Sequence, residues 1–211
     1  MTILKKRVAI LISGRGSNMA SLIEAAKDRS FPAEIVLVAS HKADAAGLSF
    51  AESKGIRSLA VPHKSFASRE AHDAAIDAAL EEADAELVCL AGYMRIMTPG
   101  LIQKWAGKMI NIHPSLLPAF PGLHTHERAL EAGVEEHGCT VHFVTAGVDE
   151  GPVIAQARVP VLAGDKPETL SARVLAEEHK LYPAALRLVA EGKVRMEDDS
   201  AVFSATPREK P

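Results

Sequence analysis

The sequence predicts an α/β protein on a doubly wound, mostly parallel sheet, with an antiparallel C-terminal part and a long C-terminal helix. Three observations carry this. Short continuous apolar runs such as Val8 to Ile12 and Leu87 to Ala91 have the length and composition of strands buried on both faces. Between such runs lie stretches with apolar residues along one helical side, so strands and helices alternate. Near the end, a helical pattern runs from Thr169 to about Ala190.

In order, Val8-Ala9-Ile10-Leu11-Ile12 is the first strand and stops at Ser13-Gly14-Arg15-Gly16-Ser17. Asn18 or Ser17 is placed to cap a helix carrying Met19, Leu22, Ile23 and Ala26 on one side. Ile35 to Ala39 is a second strand, Ala45 to Lys54 a helix closed by Gly55, and Ile56 to Val61 a third strand before Pro62. Ser68 caps the next helix, with Glu70 and Asp73 near its positive end. Leu87 to Ala91 is a fourth strand ended by Gly92, and Pro99 to Trp105 is a short helical connection into the strand Met109 to Ile112. A short helix, Glu127 to Ala132, leads to Cys139 to Val144, where Cys139, Val141 and Phe143 alternate with Thr140, His142 and Val144. The loop Thr145 to Gly151 joins that strand to an antiparallel partner, Val153 to Val159. Pro183 is expected to bend or interrupt the long helix. The tail from Gly192 is polar, with one strand candidate at Ala201-Val202-Phe203. No repeat or linker divides the chain, so 1–211 reads as a single domain with a polar tail from about 196.

With 211 residues, 47% of them hydrophobic and 24% charged, the chain can bury a substantial core and is not a disordered polypeptide. A net charge of −3 and a pI near 6.3 give no general electrostatic reason to bind nucleic acid, although a local patch can bind phosphate. Met1 to Arg7 holds basic residues but no apolar core with a cleavage site, and no apolar run approaches the roughly 20 residues of a membrane span. The expectation is a cytoplasmic protein acting on small molecules, without nucleic-acid or membrane partners, as monomer or homodimer. Cys89 and Cys139 lie inside apolar runs and read as buried free thiols.

Gly14-Arg15-Gly16-Ser17-Asn18, after a strand and before a helix, suits close approach of an anion: glycines leave backbone N–H groups open, and a helix N-terminus favours negative charge. A dinucleotide fingerprint needs a third small residue where Met19 stands, and an acid after the second strand where Ser40-His41-Lys42 stands. No Gly-Lys-Ser/Thr follows either, so a monophosphate fits the loop better than NAD or ATP.

A second polar feature is Asn111-Ile112-His113-Pro114-Ser115-Leu116-Leu117-Pro118, after the apolar Met109-Ile110. Asn111 and His113 are two residues apart on an extended chain and share a face. An imidazole exchanges protons near neutral pH and an amide N–H stabilises an oxyanion. Asp149, in a loop shaped by Gly147, Gly151 and Pro152, is the candidate carboxylate to orient the imidazole. A metal is not expected. His126-Glu127 lacks the second histidine of a zinc-protease helix, Cys139 and His142 fall on opposite strand faces, and His124, His126 and His113 have no clear acidic or thiolate partner.

These segments resemble the folate-dependent phosphoribosylglycinamide formyltransferases of purine biosynthesis. The resemblance rests on Ile12 to Asn18, Ser68-Arg69-Glu70, Leu90 to Ile96, Asn111 to Pro118, Phe120 to His126, His137 to Val144, Val148 to Pro152 and Glu178-His179, in order from about residue 7 to 195. It implies a Rossmann-like formyltransferase fold, with 10-formyltetrahydrofolate as co-substrate and 5′-phosphoribosylglycinamide as acceptor. By position, Asn111, His113 and Asp149 match the catalytic trio. Gly16, Ser17 and Asn18 would hold the phosphate side of the ribonucleotide, and Pro114 and Glu178 its sugar and glycinamide. Arg69, Met94, Arg95, Ile96 and Met97 would border the folate, together with Asn111. The loop Thr145, Ala146, Gly147, Val148 and Asp149 would wrap the pteridine. Arg15, where Asn is common, is expected to face solvent. Leu175 replaces a polar residue, and His72 stands where Tyr is frequent, so neither receives a role.

The alternatives are a formyltetrahydrofolate hydrolase or another formyl-folate-dependent formyltransferase. A methionyl-tRNA formyltransferase is expected to carry a further RNA-binding domain and the hydrolase an extra N-terminal domain. A non-catalytic nucleotide- or folate-binding module would bind without turnover.

Overall fold

The computed structural model describes residues 4–198 and 200–204. Met1 to Ile3 and the tail from Ala205 lie outside the described residues. The first apolar run forms β1, Lys6–Ile12, in which Val8 through Ile12 are all fully buried. Val8, Ile10 and Ile12 pack into one core and Ala9 and Leu11 into another, as a strand covered on both faces requires. The first core is closed by α1 (Ser17–Ala26), α2 (Ala46–Ser53) and α6 (Pro167–Ala190). On the opposite face lie α3 (Arg69–Glu82) and α4 (Pro99–Lys104).

The other strands are β2 (Ala33–Ser40), β3 (Ser58–Ala60), β4 (Leu87–Leu90), β5 (Met109–His113), β6 (Glu136–Phe143) and β7 (Val153–Pro160), with α5 (Thr125–Glu131) between β5 and β6. They form one sheet in the order β3-β2-β1-β4-β5-β6-β7. The first five are parallel, whereas β6 runs antiparallel to β5 and β7 antiparallel to β6. The predicted fold class is the one observed. Because β1 hands the chain to β2 on one side and β4 returns on the other, the sheet reverses its winding between β1 and β4. Ligands bind beyond the carboxyl ends of strands at such a switch point.

Several boundaries differ from expectation. The third strand is confined to three residues because it is an edge strand pairing only with Val38, Ala39 and Ser40 of β2. The long helix starts at Pro167, whose fixed φ suits a first helical turn. Pro183 does not interrupt it: Tyr182, Ala185, Leu186 and Val189 are buried around that position and hold the helix against the sheet. The tail is not merely polar, since β8 (Val194–Glu197) pairs antiparallel with β9 (Ser200–Phe203). That hairpin packs Val194, Met196 and Ala201 onto the first core.

Tyr182 joins α6 to the site-bearing strands. Its ring is fully buried, and its hydroxyl lies 2.9 Å from Leu90 O on β4 and 3.1 Å from Ile110 O on β5. Tyr182→Phe removes that donor and should destabilise the fold by about 1–2 kcal/mol. The check is a lowered urea midpoint with unchanged slope; an unchanged midpoint would show the bridge to be idle.

Candidate active site

At the switch point, the ends of β1 and β4 flank a cavity of about 310 Å³ lined by Ser13, Gly14, Arg15, Gly16, Ser17, Asn18, Lys42, Ala91, Gly92 and Met94. Gly16 takes the left-handed conformation (φ 71°) and is itself the N-cap of α1. Neither Ser17 nor Asn18 caps the helix, contrary to expectation. Ser17 lies in the first turn, and the Asn18 amide instead donates to Glu178 Oε2 at 2.6 Å. Both partners are more than nine-tenths buried, so this pairing wins over a cap. The first-turn N–H groups of α1 are left without a side-chain cap or an acidic neighbour, and they face the cleft. Gly47 of α2 lets that loop sit low: its N–H donates to Gly14 O at 3.1 Å, and a Cβ there would approach Ile12 Cδ1 to 2.4 Å. Arg15 and Lys42 are exposed at the rim. Burial raises the Glu178 carboxyl above its ordinary range, opposed by the Asn18 hydrogen bond.

One strand over, Leu90 pairs with Asn111, so the polar end of β5 adjoins the cleft. His113 is 6% exposed. Its Nε2 lies 3.0 Å from Phe120 O, so that nitrogen carries a hydrogen and donates to the carbonyl. Its Nδ1 faces Asp149 Oδ2 at 3.3 Å. The same carboxylate oxygen accepts from the Gly122 N–H at 2.8 Å. Asn111, His113 and Asp149 are thus gathered at one place.

His142 belongs to this cluster and was not read from the sequence as a site residue. It lies directly opposite Asn111 in the β5–β6 ladder. Its Nδ1 donates to Phe143 O at 2.8 Å, which leaves a lone pair on Nε2, and Asn111 Nδ2 donates to that lone pair at 3.1 Å. Burial lowers the His142 pKa, in keeping with a neutral ring. The contact fixes which way the Asn111 amide points, because Oδ1 would meet the lone pair repulsively. Asp149 Oδ1 is 3.8 Å from His142 Nε2, beyond hydrogen-bond reach. The available signal was cross-strand pairing, which requires a register that strand alternation alone does not supply.

In the loop, the unusual backbone is at Asp149 itself, which is left-handed with φ 58°. Asp tolerates that region better than most residues. Gly147 and Gly151 are not among the residues with positive φ. Gly151 is needed for close approach: a Cβ there would lie 1.7 Å from Phe143 O. Opposite, the proline-rich segment after β5 is pinned to β6. Leu117 N donates to Thr140 Oγ1 (3.0 Å), Thr140 donates to Ser115 O (2.7 Å) and Gln156 bonds both Leu117 O and Thr140 Oγ1. Pro114 is half-buried there, and its carbonyl accepts from Thr125.

The residues expected around a folate are divided. Met94, Ile96 and Val148 are exposed apolar side chains at 63%, 64% and 58%. Met97 is not on the surface with them; it packs into the second core with Leu101 and Trp105, so only its backbone can meet a ligand. Arg95 is half-buried, and its Nε has no partner among the described residues. Arg69 opens α3 and is exposed, with no hydrogen bond or ion pair to the cluster. Thr145, Ala146 and Gly147 lead from β6 to Asp149 and are half-buried or exposed.

No three His, Cys, Asp or Glu side chains among the described residues are grouped to hold a metal. Cys89 and Cys139 are buried and free, and burial pushes both thiols up to about 12. No helix among the described residues is long and apolar enough to cross a membrane.

The site thus sets an uncapped helix end beside an amide, an imidazole and a carboxylate at the next strand end of a doubly wound sheet. The chain belongs to the formyl transferase family, whose profile matches residues 6–186. It is 45% identical over 194 residues to the phosphoribosylglycinamide formyltransferase of Escherichia coli (strain K12), covering 92% of each chain. It is 52% identical over 202 residues to the trifunctional purine biosynthetic protein adenosine-3 of Bos taurus, covering 96% of this chain and 20% of that protein. The chain therefore spans about a fifth of that relative's length. A solved structure, glycinamide ribonucleotide transformylase 1 from Symbiobacterium toebii, matches with a TM-score of 0.91 at 47% identity over 94% of both chains.

Burial also holds His41 and His137 neutral, each with its pKa lowered to about 4. As pH falls from the ordinary histidine value of 6.5, the unfolded chain takes up protons that the folded protein refuses, so stability falls with pH. The urea midpoint should therefore drop between pH 7.5 and pH 5. A midpoint constant or rising on acidification would contradict the neutral assignment.

Proposed function

We propose that the chain transfers a formyl group from 10-formyltetrahydrofolate to the amine of 5′-phosphoribosylglycinamide, in purine biosynthesis. The observation that carries this reading is the adjacency of the anion cleft between β1 and β4 to the Asn111, His113 and Asp149 cluster on β5, joined by the Leu90–Asn111 pair. The match to the E. coli enzyme over nearly the whole of both chains supports the choice of substrates. The phosphate sits on the Gly16, Ser17 and Asn18 N–H groups, with Asn18 and Glu178 beneath the sugar and glycinamide and Pro114 beside them. The folate lies along Met94, Arg95, Ile96, the Met97 backbone, Arg69 and residues 145–149. The exposed apolar side chains there and the unpartnered Arg95 Nε suit a flat aromatic group with polar edges.

The formyl donor supplies the carbon that the amine attacks. The chain supplies the hydrogens that meet the charge developing on the formyl oxygen. Asn111 Nδ2 donates one hydrogen to His142 and keeps a second for that oxygen. His113 Nε2–H is bonded to Phe120 O in this structure, and it joins Asn111 by exchanging that carbonyl for the oxyanion. Asp149, at Nδ1 of the same ring, orients the imidazole. It also relays the proton that leaves the attacking amine for the folate nitrogen, directly or through a water.

Asp149→Asn suits a test because Asn also accepts the left-handed backbone. It should lower kcat by about 100-fold or more, with far less change in KM; unchanged turnover would remove Asp149 from the mechanism. Raising ionic strength should weaken the KM for the ribonucleotide, and a salt-insensitive KM would argue against a phosphate on the Gly16 loop. The activity is checked by incubating with 10-formyltetrahydrofolate, with and without phosphoribosylglycinamide, and following folate release. Release independent of the amine would make the protein a hydrolase.

A further inference from the structure

Ser13 directly follows the first strand and lines the cleft, and its hydrogen-bond partners determine where its own hydrogen goes. His63 Nδ1 lies 3.2 Å from the carbonyl oxygen of His41. A carbonyl only accepts, so His63 Nδ1 carries a hydrogen. The same nitrogen is 3.3 Å from His41 Nδ1, which must then present a lone pair. His41 is 5% exposed, and its burial, together with the neighbouring His63, Lys42 and Arg95, keeps it neutral. Its one ring hydrogen therefore sits on Nε2, 2.7 Å from Ser13 Oγ, and is donated to that oxygen.

The backbone N–H of Met94 donates to the same oxygen, also at 2.7 Å. A hydroxyl oxygen has two lone pairs, and both are now filled. The hydroxyl hydrogen of Ser13 is left without an acceptor among the described residues. Ser13 is 6% exposed, and the opening it meets is the cleft. The tilted His41–His63 contact and the edge contact of His41 with Tyr93 hold the imidazole from two further sides.

We propose that Ser13 is a further ligand-binding residue, its hydroxyl hydrogen directed into the cleft to donate to a ribose or phosphate oxygen of the ribonucleotide. His41 is the positioning residue that fixes this direction. The proposal rests on the ribonucleotide reading of the cleft. It has a second consequence. By accepting from Met94, Ser13 Oγ ties the end of β1 to the first residue of the segment read as folate-facing, so one atom keeps the two halves of the site in register.

Steady-state kinetics on four variants test it. Ser13→Ala should raise the KM for phosphoribosylglycinamide about tenfold, the size of one hydrogen bond to a charged or strongly accepting oxygen. It should change kcat little and raise the folate KM less. Ser13→Thr keeps the hydroxyl and should restore the ribonucleotide KM. His41→Phe keeps the ring against Tyr93 but removes the Nε2 donor, so it should raise the same KM by a smaller factor. Combined with Ser13→Ala it should add nothing, because its effect passes through Ser13. A ribonucleotide KM unchanged in Ser13→Ala, a Thr variant as poor as Ala, or additive effects of the two sites would each overturn the proposal. Wild-type protein without amine-dependent turnover would fail the functional reading instead. In that event calorimetry with ribose 5-phosphate on wild type and Ser13→Thr against Ser13→Ala decides: weaker binding in Ala alone supports the proposal, and equal binding overturns it.

Discussion

The contact between His113 Nδ1 and Asp149 Oδ2 is the interaction on which the site depends, and it joins the carboxyl end of β5 to the loop that follows β6. Because β6 runs antiparallel, it sets His142 opposite Asn111 and its last residue, Phe143, opposite Ile110 near the amino end of β5, so the loop that follows folds back along the sheet to bring Asp149 to His113. Gly151 lets that loop close onto Phe143 O, and the left-handed backbone at Asp149 turns its carboxylate inward, where Gly122 N–H and His113 share it. Left-handed conformations of non-glycine residues cost energy and persist only where surrounding structure holds them.

The parallel half of the sheet makes a different contribution. Its reversal between β1 and β4 opens the cleft, and Gly16 leaves the first turn of α1 uncapped over it. The burial of Asn18 against Glu178 ties that helix to α6, and Tyr182, one helical turn further along α6, reaches the carbonyls of β4 and β5. The long C-terminal helix therefore ties α1, at the cleft, to the strands β4 and β5.

The strand and helix order was legible in the sequence because buried parallel strands are short apolar runs and the covering helices have one-sided apolar faces. Ser68 could be read as a cap because capping is local, and its Oγ does accept from Ala71 N. What depended on distant partners was not legible. Asn18 looked like a cap because its partner Glu178 is remote in sequence, and His142 looked like an ordinary strand residue because only register places it against Asn111. The glycines of the Asp149 loop marked its tight path, but only the structure shows that Gly151 serves close approach while the positive φ falls on the aspartate. Met97 looked like its exposed neighbours, and only the packing of Leu101 and Trp105 shows it to be core.

The central claim is that the ring of His113 is held by Phe120 O at one nitrogen and by Asp149 at the other. Nitrogen-15 spectroscopy of the histidine rings tests it most directly. The structure predicts hydrogen on Nε2 at neutral pH, and an Nδ1 resonance that moves on Asp149→Asn while Nε2 stays in place. A ring with bare Nε2, or an Nδ1 indifferent to residue 149, would contradict the account.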